Sequence, residues 1–370
     1  MSHVDTQVRD AVGFITLDRP QALNALSLPM IRDLTAVLLS WRDDPAVRAV
    51  ALRGMSKQGP FGAFCAGGDI RFFHAAALAG DPALEDFFTE EYRLNHLIHR
   101  YPKPTVVFMD GIVMGGGMGL AQGCTLRVAT TRTKMAMPET LIGLFPDVGG
   151  GYFLSRCPGH VGEFLALTGE HLDGHQAVQA SLADVVVDPV GLTSLWEQLP
   201  QRLNPAAASD WTRLARQWPE ALLDTHPKGW PPELESVFSA PDLNTALIHL
   251  DQLSAQGSSW ASHQLQALSK RSPLMLHVTW AQIRKARGMA LADELRMERD
   301  LVRHCFHPQH LSRSTAQSDT VEGIRALAVD KDHHPHWMHD SPEAVTQAQV
   351  APFFQSPWPA HAHPLHHLKD

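Results

Sequence analysis

The chain is 370 residues long, 44% hydrophobic and 19% charged, with a formal net charge of −8. Such a chain can bury a full core, as one large domain with an appendage or as two domains. The acidic balance argues against a general nucleic-acid binder, which needs a basic surface, but leaves room for a local basic patch that receives phosphates.

In chain order, residues 11–18 (AVGFITLD) alternate loosely and predict a strand. The turn RPQALNAL follows, then apolar residues at helical spacing over 28–42. A second strand is expected at 47–53 (VRAVALR), ahead of the loop GMSKQGPFGAFCAGGDI. A helix over 84–99, a buried strand at 104–109, a helix over 116–124 and a strand at 126–130 continue the alternation, which implies α/β layering. Beyond about residue 160 strand signals mostly stop. Helical patterns then occupy 161–168, 174–181, 192–203, 206–216, 244–254, 260–270, 276–286 and 290–305, with an irregular Pro- and Trp-containing connection over 218–243.

The four cysteines, Cys65, Cys124, Cys157 and Cys305, show no CxxC spacing, which favours reduced thiols over a disulfide framework or a zinc site. No apolar run reaches the ~18 residues of a membrane helix, so no membrane partner is expected. The opening MSHVDTQVRDAV carries no export or organelle signal, and a cytoplasmic location is expected. The 22 histidines gather late, as HHPHWMH (333–339) and HAHPLHHLKD (361–370), without fixed ligand spacing. No metal site is expected from them, and the Pro-containing terminal segment is expected at the surface or disordered. Lys270, Arg271 and Lys331 read most simply as solvated surface charge.

Chemistry concentrates in residues 110–153, DGIVMGGGMGLAQGCTLRVATTRTKMAMPETLIGLFPDVGGGYF. Glycine clusters there bracket two isolated acids, Glu139 and Asp147, in a mostly apolar stretch. Buried charge is either satisfied by hydrogen bonds or set up for reaction. Gly115-Gly116-Gly117 could offer helix N-terminal N–H groups to an oxyanion, but close helix packing explains a glycine triplet equally well. FCAGGDI (64–70) could present the Gly68 N–H, or could be a glycine turn whose Asp69 caps the next helix. Glu139 behind Pro138 also reads as a first-turn acid, and Asp147 behind Pro146 as an N-cap. If both face one pocket, a carboxylate can act as nucleophile or base with the other acid as its proton-transfer partner.

Taken together, DRPQALNAL (18–26), FCAGGDI, DGIVMGGGMGL (110–120), MPETLIGLFPDVGGGYFL (137–154) and LTGEHLDGHQAVQASLAD (167–184) resemble the crotonase (enoyl-CoA hydratase/isomerase) superfamily in order and spacing. Within it the chain looks most like the 3-hydroxyisobutyryl-CoA hydrolase branch. SKRSPLMLHVT (269–279), MERDLVRHC (297–305) and DTVEGIRALAVDKDHHPHW (319–337) extend that similarity to about residue 340.

The resemblance implies an α/β fold, a crotonase-type ββα spiral core over 1–200. A largely helical C-terminal region over 201–345 would cover the acyl pocket, before a His/Pro-rich tail at 346–370. It implies an acyl-CoA substrate whose thioester oxygen is held by the Gly68 and Gly116 N–H groups, with Glu139 and Asp147 as catalytic acids. Ala22, Asn24, Ala66, Gly67, Asp69 and Gly115 would flank the coenzyme A moiety. That moiety belongs to the substrate, so no separate cofactor is implied, and homo-oligomers, trimers or hexamers, are common in the superfamily. Hydratases resembling this family place a catalytic Glu two residues after the glycine triplet, where this chain has Gly119. The implied activity is therefore hydrolysis of a short 3-hydroxyacyl-CoA in valine catabolism, through nucleophilic attack by Glu139 or through Glu139 as general base. The alternatives are an enoyl-CoA hydratase or isomerase, and an acyl-CoA-binding protein without turnover.

Overall fold

A computed structural model describes residues 3–203, 205–222 and 229–370. The chain divides into two compact units interleaved in sequence.

The first unit comprises Met1–Gly68, Arg93–Ala136 and His171–Lys228. Strands β1 (Val4–Arg9), β2 (Val12–Leu17), β3 (Ala49–Ser56), β4 (Thr105–Met109), β5 (Leu126–Thr130) and β6 (Val185–Val187) follow one another across its sheet, with Gly59–Pro60 pairing off β3. β1 and β2 form an antiparallel hairpin, and every later neighbour in that row is parallel. Parallel neighbours need long crossovers, and helix α1 (Leu28–Asp43) supplies the one between β2 and β3. β2 and β4 are buried along their whole length, as expected for strands covered on both faces. Trp196 on the helix Leu192–Arg202 packs edge-on against Phe14, Phe61 and Phe108 of the core.

A second, smaller parallel pair, Ile112–Met114 with Lys134–Ala136, lies in the same unit. Single bridges join Cys65 to Val113 and Leu26 to Gly68, so this layer organises both glycine loops. At its edge Asn24 is buried at φ 56°, a left-handed conformation that Asn tolerates better than most residues. Its Oδ1 accepts from Arg19 N–H at 2.8 Å, and its Nδ2 donates to the carbonyls of Met55, Ala63 and Phe64 at 2.9–3.1 Å. Asn24→Ala strands those buried carbonyls and strains the backbone, and is expected to destabilise the protein by about 3 kcal/mol in urea unfolding.

The second unit comprises Asp69–Tyr92, Met137–Glu170 and Gly229–Asp370, and it is helical. Helix α2 (Ala83–His99) gives this unit its residues up to Tyr92. Phe73, Phe87, Phe88 and Phe306 form its aromatic cluster. The helices expected near 244–254, 260–270, 276–286 and 290–305 span Leu243–Ala255, Ser259–Leu268, Pro273–Ala286 and Leu291–Phe306. Side chains of Asp242, Ser258 and Ser272 cap the first three.

Several expectations are corrected. Val4–Arg9, Ile112–Met114, Lys134–Ala136 and Val185–Val187 are strands that periodicity missed, three of them being only three residues long. The helix expected over 206–216 is a 3₁₀ turn, Pro205–Asp210, followed by the short helix Trp211–Ala215. Within the irregular connection 218–243, Pro232–Phe238 is helical, and residues 223–228 lie outside the described residues. Residues 137–170, assigned by sequence to the core region, group with the later helices. The tail is ordered: Phe353 and Leu365 are buried, and the Asp370 carboxylate accepts from Ala292 N–H at 3.0 Å. Apolar residues spaced among the histidines give it a face to bury.

Candidate active site

Two glycine loops in the first unit present backbone donors. Gly67 sits at φ 102°, and a Cβ built on it would lie 3.6 Å from the Gly116 nitrogen, so the loops pass within contact distance. Gly115, at φ 48°, turns the chain into the helix Gly116–Gln122, and a Cβ on Gly117 would overlap the Cys65 carbonyl. The triplet therefore serves both conformation and close packing. Neither the Gly68 nor the Gly116 N–H donates to a backbone carbonyl among the described residues. Such donors are available to an oxygen that gains charge.

The acids belong to the second unit. Glu139 opens the 3₁₀ turn Glu139–Ile142, which is clamped on several sides. Thr140 Oγ1 donates to the Leu167 carbonyl at 3.1 Å, Ser272 N–H donates to the Thr140 carbonyl at 3.1 Å, and Thr320 Oγ1 donates to the Gly143 carbonyl at 2.5 Å. Gly143, at φ 66°, closes the turn where a Cβ would meet the Asp319 carbonyl. The Glu139 carboxyl is buried, and its Oε2 has no partner among the described residues. Asp147 is also buried and accepts at Oδ2 from the Tyr92 hydroxyl at 2.8 Å. It does not cap a helix with its side chain: the N-cap of Gly150–Leu154 is Gly149.

Burial is the main cause of the unusual proton affinities here. Desolvation, followed by the charge of Asp147, holds Glu139 well above the usual carboxylate range. Desolvation and the charge of Glu298 push Asp147 up to about 7. Desolvation also keeps the Tyr92 hydroxyl protonated, as a donor. Acids raised by burial in a clamped pocket are suited to taking and returning protons.

Sequence reasoning missed Glu91, which is buried beside Tyr92 and raised by desolvation and then by Asp147 and Glu139. Its signal was present, since it falls on the apolar stripe with Phe87, Phe88 and Leu94. Arg271 was read as surface charge, yet it donates to the Thr168 carbonyl and lies close enough to Glu139 for each to shift the other. Lys270 lines a cavity of about 660 Å³ whose wall includes Leu141, two residues from Glu139, with Leu327, His333, His336 and Trp337. That volume suits a small-molecule ligand.

The structure thus draws Gly67, Gly68, Gly115 and Gly116 together in one unit, and Glu139 and Asp147 together in the other. Ala66 belongs to the first loop, its N–H donating to the Leu23 carbonyl, and Ala22 ends the 3₁₀ turn Pro20–Ala22. Two residues expected at the ligand use their side chains in the fold. The Asn24 amide is fully committed, and Asp69 Oδ1 accepts from Phe72 N–H at 3.3 Å as the N-cap of Ile70–Ala79. No group of three His, Cys, Asp or Glu suited to a metal ion occurs among the described residues.

Comparison with known proteins shows the family of the chain. The family model described as Enoyl-CoA hydratase/isomerase matches residues 12–354. The 3-hydroxyisobutyryl-CoA hydrolase, mitochondrial, of Xenopus laevis is 40% identical over 353 residues, 93% of this chain and 86% of that protein. The human protein of the same name is 37% identical over 349 residues, 94% of this chain and 87% of its own length. Among solved structures, an enoyl-CoA hydratase from Rhodobacter sphaeroides superposes with TM-score 0.82 at 34% identity, covering 96% of this chain and 98% of that one. The expected cytoplasmic location is overturned by these relatives, which are named as mitochondrial. Scattered reduced thiols separate oxidising from reducing compartments, not one reducing compartment from another.

Proposed function

The chain belongs to the enoyl-CoA hydratase/isomerase family, and we propose that it hydrolyses the thioester of a short 3-hydroxyacyl-CoA, 3-hydroxyisobutyryl-CoA first. 3-Hydroxypropionyl-CoA is a second substrate of the same shape. The reaction then falls in valine breakdown. The observation that carries the proposal is the buried Glu139/Asp147 pair in a chain whose Gly119 has no carboxyl to hold a hydrating water.

In the proposed sequence a Glu139 carboxylate oxygen attacks the thioester carbon. The charge that develops on the carbonyl oxygen is taken up by the Gly68 and Gly116 N–H groups, an oxyanion hole whose dipoles need no reorganisation. Collapse breaks the C–S bond, leaves a mixed anhydride on Glu139 and expels the thiolate, which takes the Asp147 proton. Water then attacks the anhydride and gives a proton to Asp147. The 3-hydroxy acid leaves and both carboxyls return to their starting state. Tyr92 holds Asp147 through Oδ2, which turns Oδ1 to this work and to the substrate's 3-hydroxyl. Arg271 favours the Glu139 anion that attacks.

The cavity beside Leu141 suits the coenzyme A portion, with apolar wall for the pantetheine and Lys270 for a phosphate. Lys270→Ala is expected to raise KM about fivefold with kcat unchanged, since one exposed charge pair is worth up to ~1 kcal/mol. The trimer or hexamer of the superfamily belongs to the same proposal, and sedimentation of the purified protein tests it.

The deciding experiment compares 3-hydroxyisobutyryl-CoA with crotonyl-CoA. Release of free thiol from the first, with the enoyl absorbance of the second unchanged, is expected. Loss of enoyl absorbance without thiol release makes the protein a hydratase, and binding of both without turnover makes it an acyl-CoA-binding protein.

A further inference from the structure

Two further acids point into the same unit, and the reaction above uses neither. Glu294 and Glu298, one turn apart on the helix Leu291–Phe306, are fully buried. Glu298 accepts from Gly149 N–H at 2.7 Å through Oε2 and from Gly151 N–H at 3.0 Å through Oε1. Gln282, on the helix Pro273–Ala286, donates to Glu298 Oε1 at 3.1 Å and to the Pro146 carbonyl at 2.7 Å. Asp147 lies between these anchors. It is followed by Val148 at φ 59° and Gly149 at φ 85°, a backbone that a β-branched residue holds only when the surroundings enforce it.

Gly151 is matched to these acids, because a Cβ on it would overlap the Glu294 carboxyl. Neither Glu294 oxygen receives an N–H or hydroxyl donor among the described residues. Burial raises Glu294 to about 7, and burial and the neighbouring Glu294 charge raise Glu298, so the two carboxyls retain a proton between them.

We infer that the Glu294–Glu298 pair is the positioning device of Asp147, clamping the Pro146–Gly151 turn and holding one negative charge against the Asp147 carboxyl. The use made of the retained proton, transfer to a departing thiolate, rests on the hydrolase proposal. A clamp alone needs no charge, since an amide oxygen accepts N–H groups without the desolvation that a buried carboxylate carries. The charge matters because of what lies beside it: after burial, Glu298 is the next cause that raises Asp147. The other groups whose charges reach this cluster are Tyr92 and Glu91 on α2, Glu139 on its turn and Cys305 on the same helix as Glu298. Arg156 beside Glu294 and Arg271 beside Glu139 are the cations.

The test titrates the Asp147 carboxyl carbon by ¹³C NMR, assigned with Asp147→Asn, beside the alkaline limb of kcat/KM for thiol release. Glu294→Gln leaves one charge on Glu298, and Asp147 is expected to titrate as in wild type. Glu294→Gln/Glu298→Gln removes the charge and keeps the shapes, and both readouts are expected to move down by about one pH unit. An unmoved titration in the folded double variant overturns the inference, as does a shift in Glu294→Gln as large as that of the pair. If the double variant does not fold, Glu298→Gln alone is read, with the charge left on Glu294: a smaller downward shift supports the inference and none overturns it. The NMR arm needs no turnover, so failure of wild type to release thiol counts against the hydrolase proposal and leaves the titration to judge the pair.

Discussion

Glu139→Gln is expected to lower thiol release from 3-hydroxyisobutyryl-CoA by about 10³-fold or more, because the carboxylate oxygen that attacks is replaced by an amide. The substitution is isosteric and removes an acid that burial already strains, so the folded state is expected to be retained or stabilised. The Glu139 turn is fixed by Thr140, Gly143, Ser272 and Thr320, none of which uses the Glu139 carboxyl. Substrate binding is therefore expected to survive, and isothermal titration with the unreacted thioester checks it. Loss of binding together with activity would point to a collapsed site and not to a missing nucleophile.

Asp147→Asn is expected to cost about 10²-fold in kcat and to change the shape of the pH profile. Glu139 and Asp147 interact, so their titrations belong to the pair. Below both values the two carboxyls are protonated and Glu139 cannot attack. Above both no proton remains for the thiolate. Activity of the wild type is thus expected to be bell-shaped, with the alkaline limb at or above about 7, to which Asp147 is raised. In Asp147→Asn only the acid limb remains, because Glu139 alone still has to lose its proton. A profile that kept its alkaline limb would take the proton-donor role away from Asp147.

The acids of the proposed reaction were legible in the sequence because each stands alone among apolar residues, next to proline and near glycine. Glu91 was hidden by its neighbour Glu90: two adjacent glutamates look alike on paper, and only the helix phase shows that Glu91 lies on the buried stripe. Glu294 and Glu298 were hidden in the same way. They fall on the stripe of Leu291, Leu295, Leu301 and Val302, within a helix dense enough in charge to read as solvated. Asn24 shows what sequence leaves out in the other direction: beside its expected place near the ligand, its amide holds three carbonyls of the fold. Hydrogen-bond partners 31–40 residues away leave no local pattern. The short strand Val185–Val187 gave none either, since three valines cannot display an alternation.

The most direct test of the central claim quantifies free thiol and free 3-hydroxy acid in the same samples as wild-type protein consumes 3-hydroxyisobutyryl-CoA. Equal amounts of the two, appearing together and absent with Glu139→Gln, are expected of a thioester hydrolase built on that carboxylate. Substrate loss without thiol, or undiminished thiol release by Glu139→Gln, would contradict it.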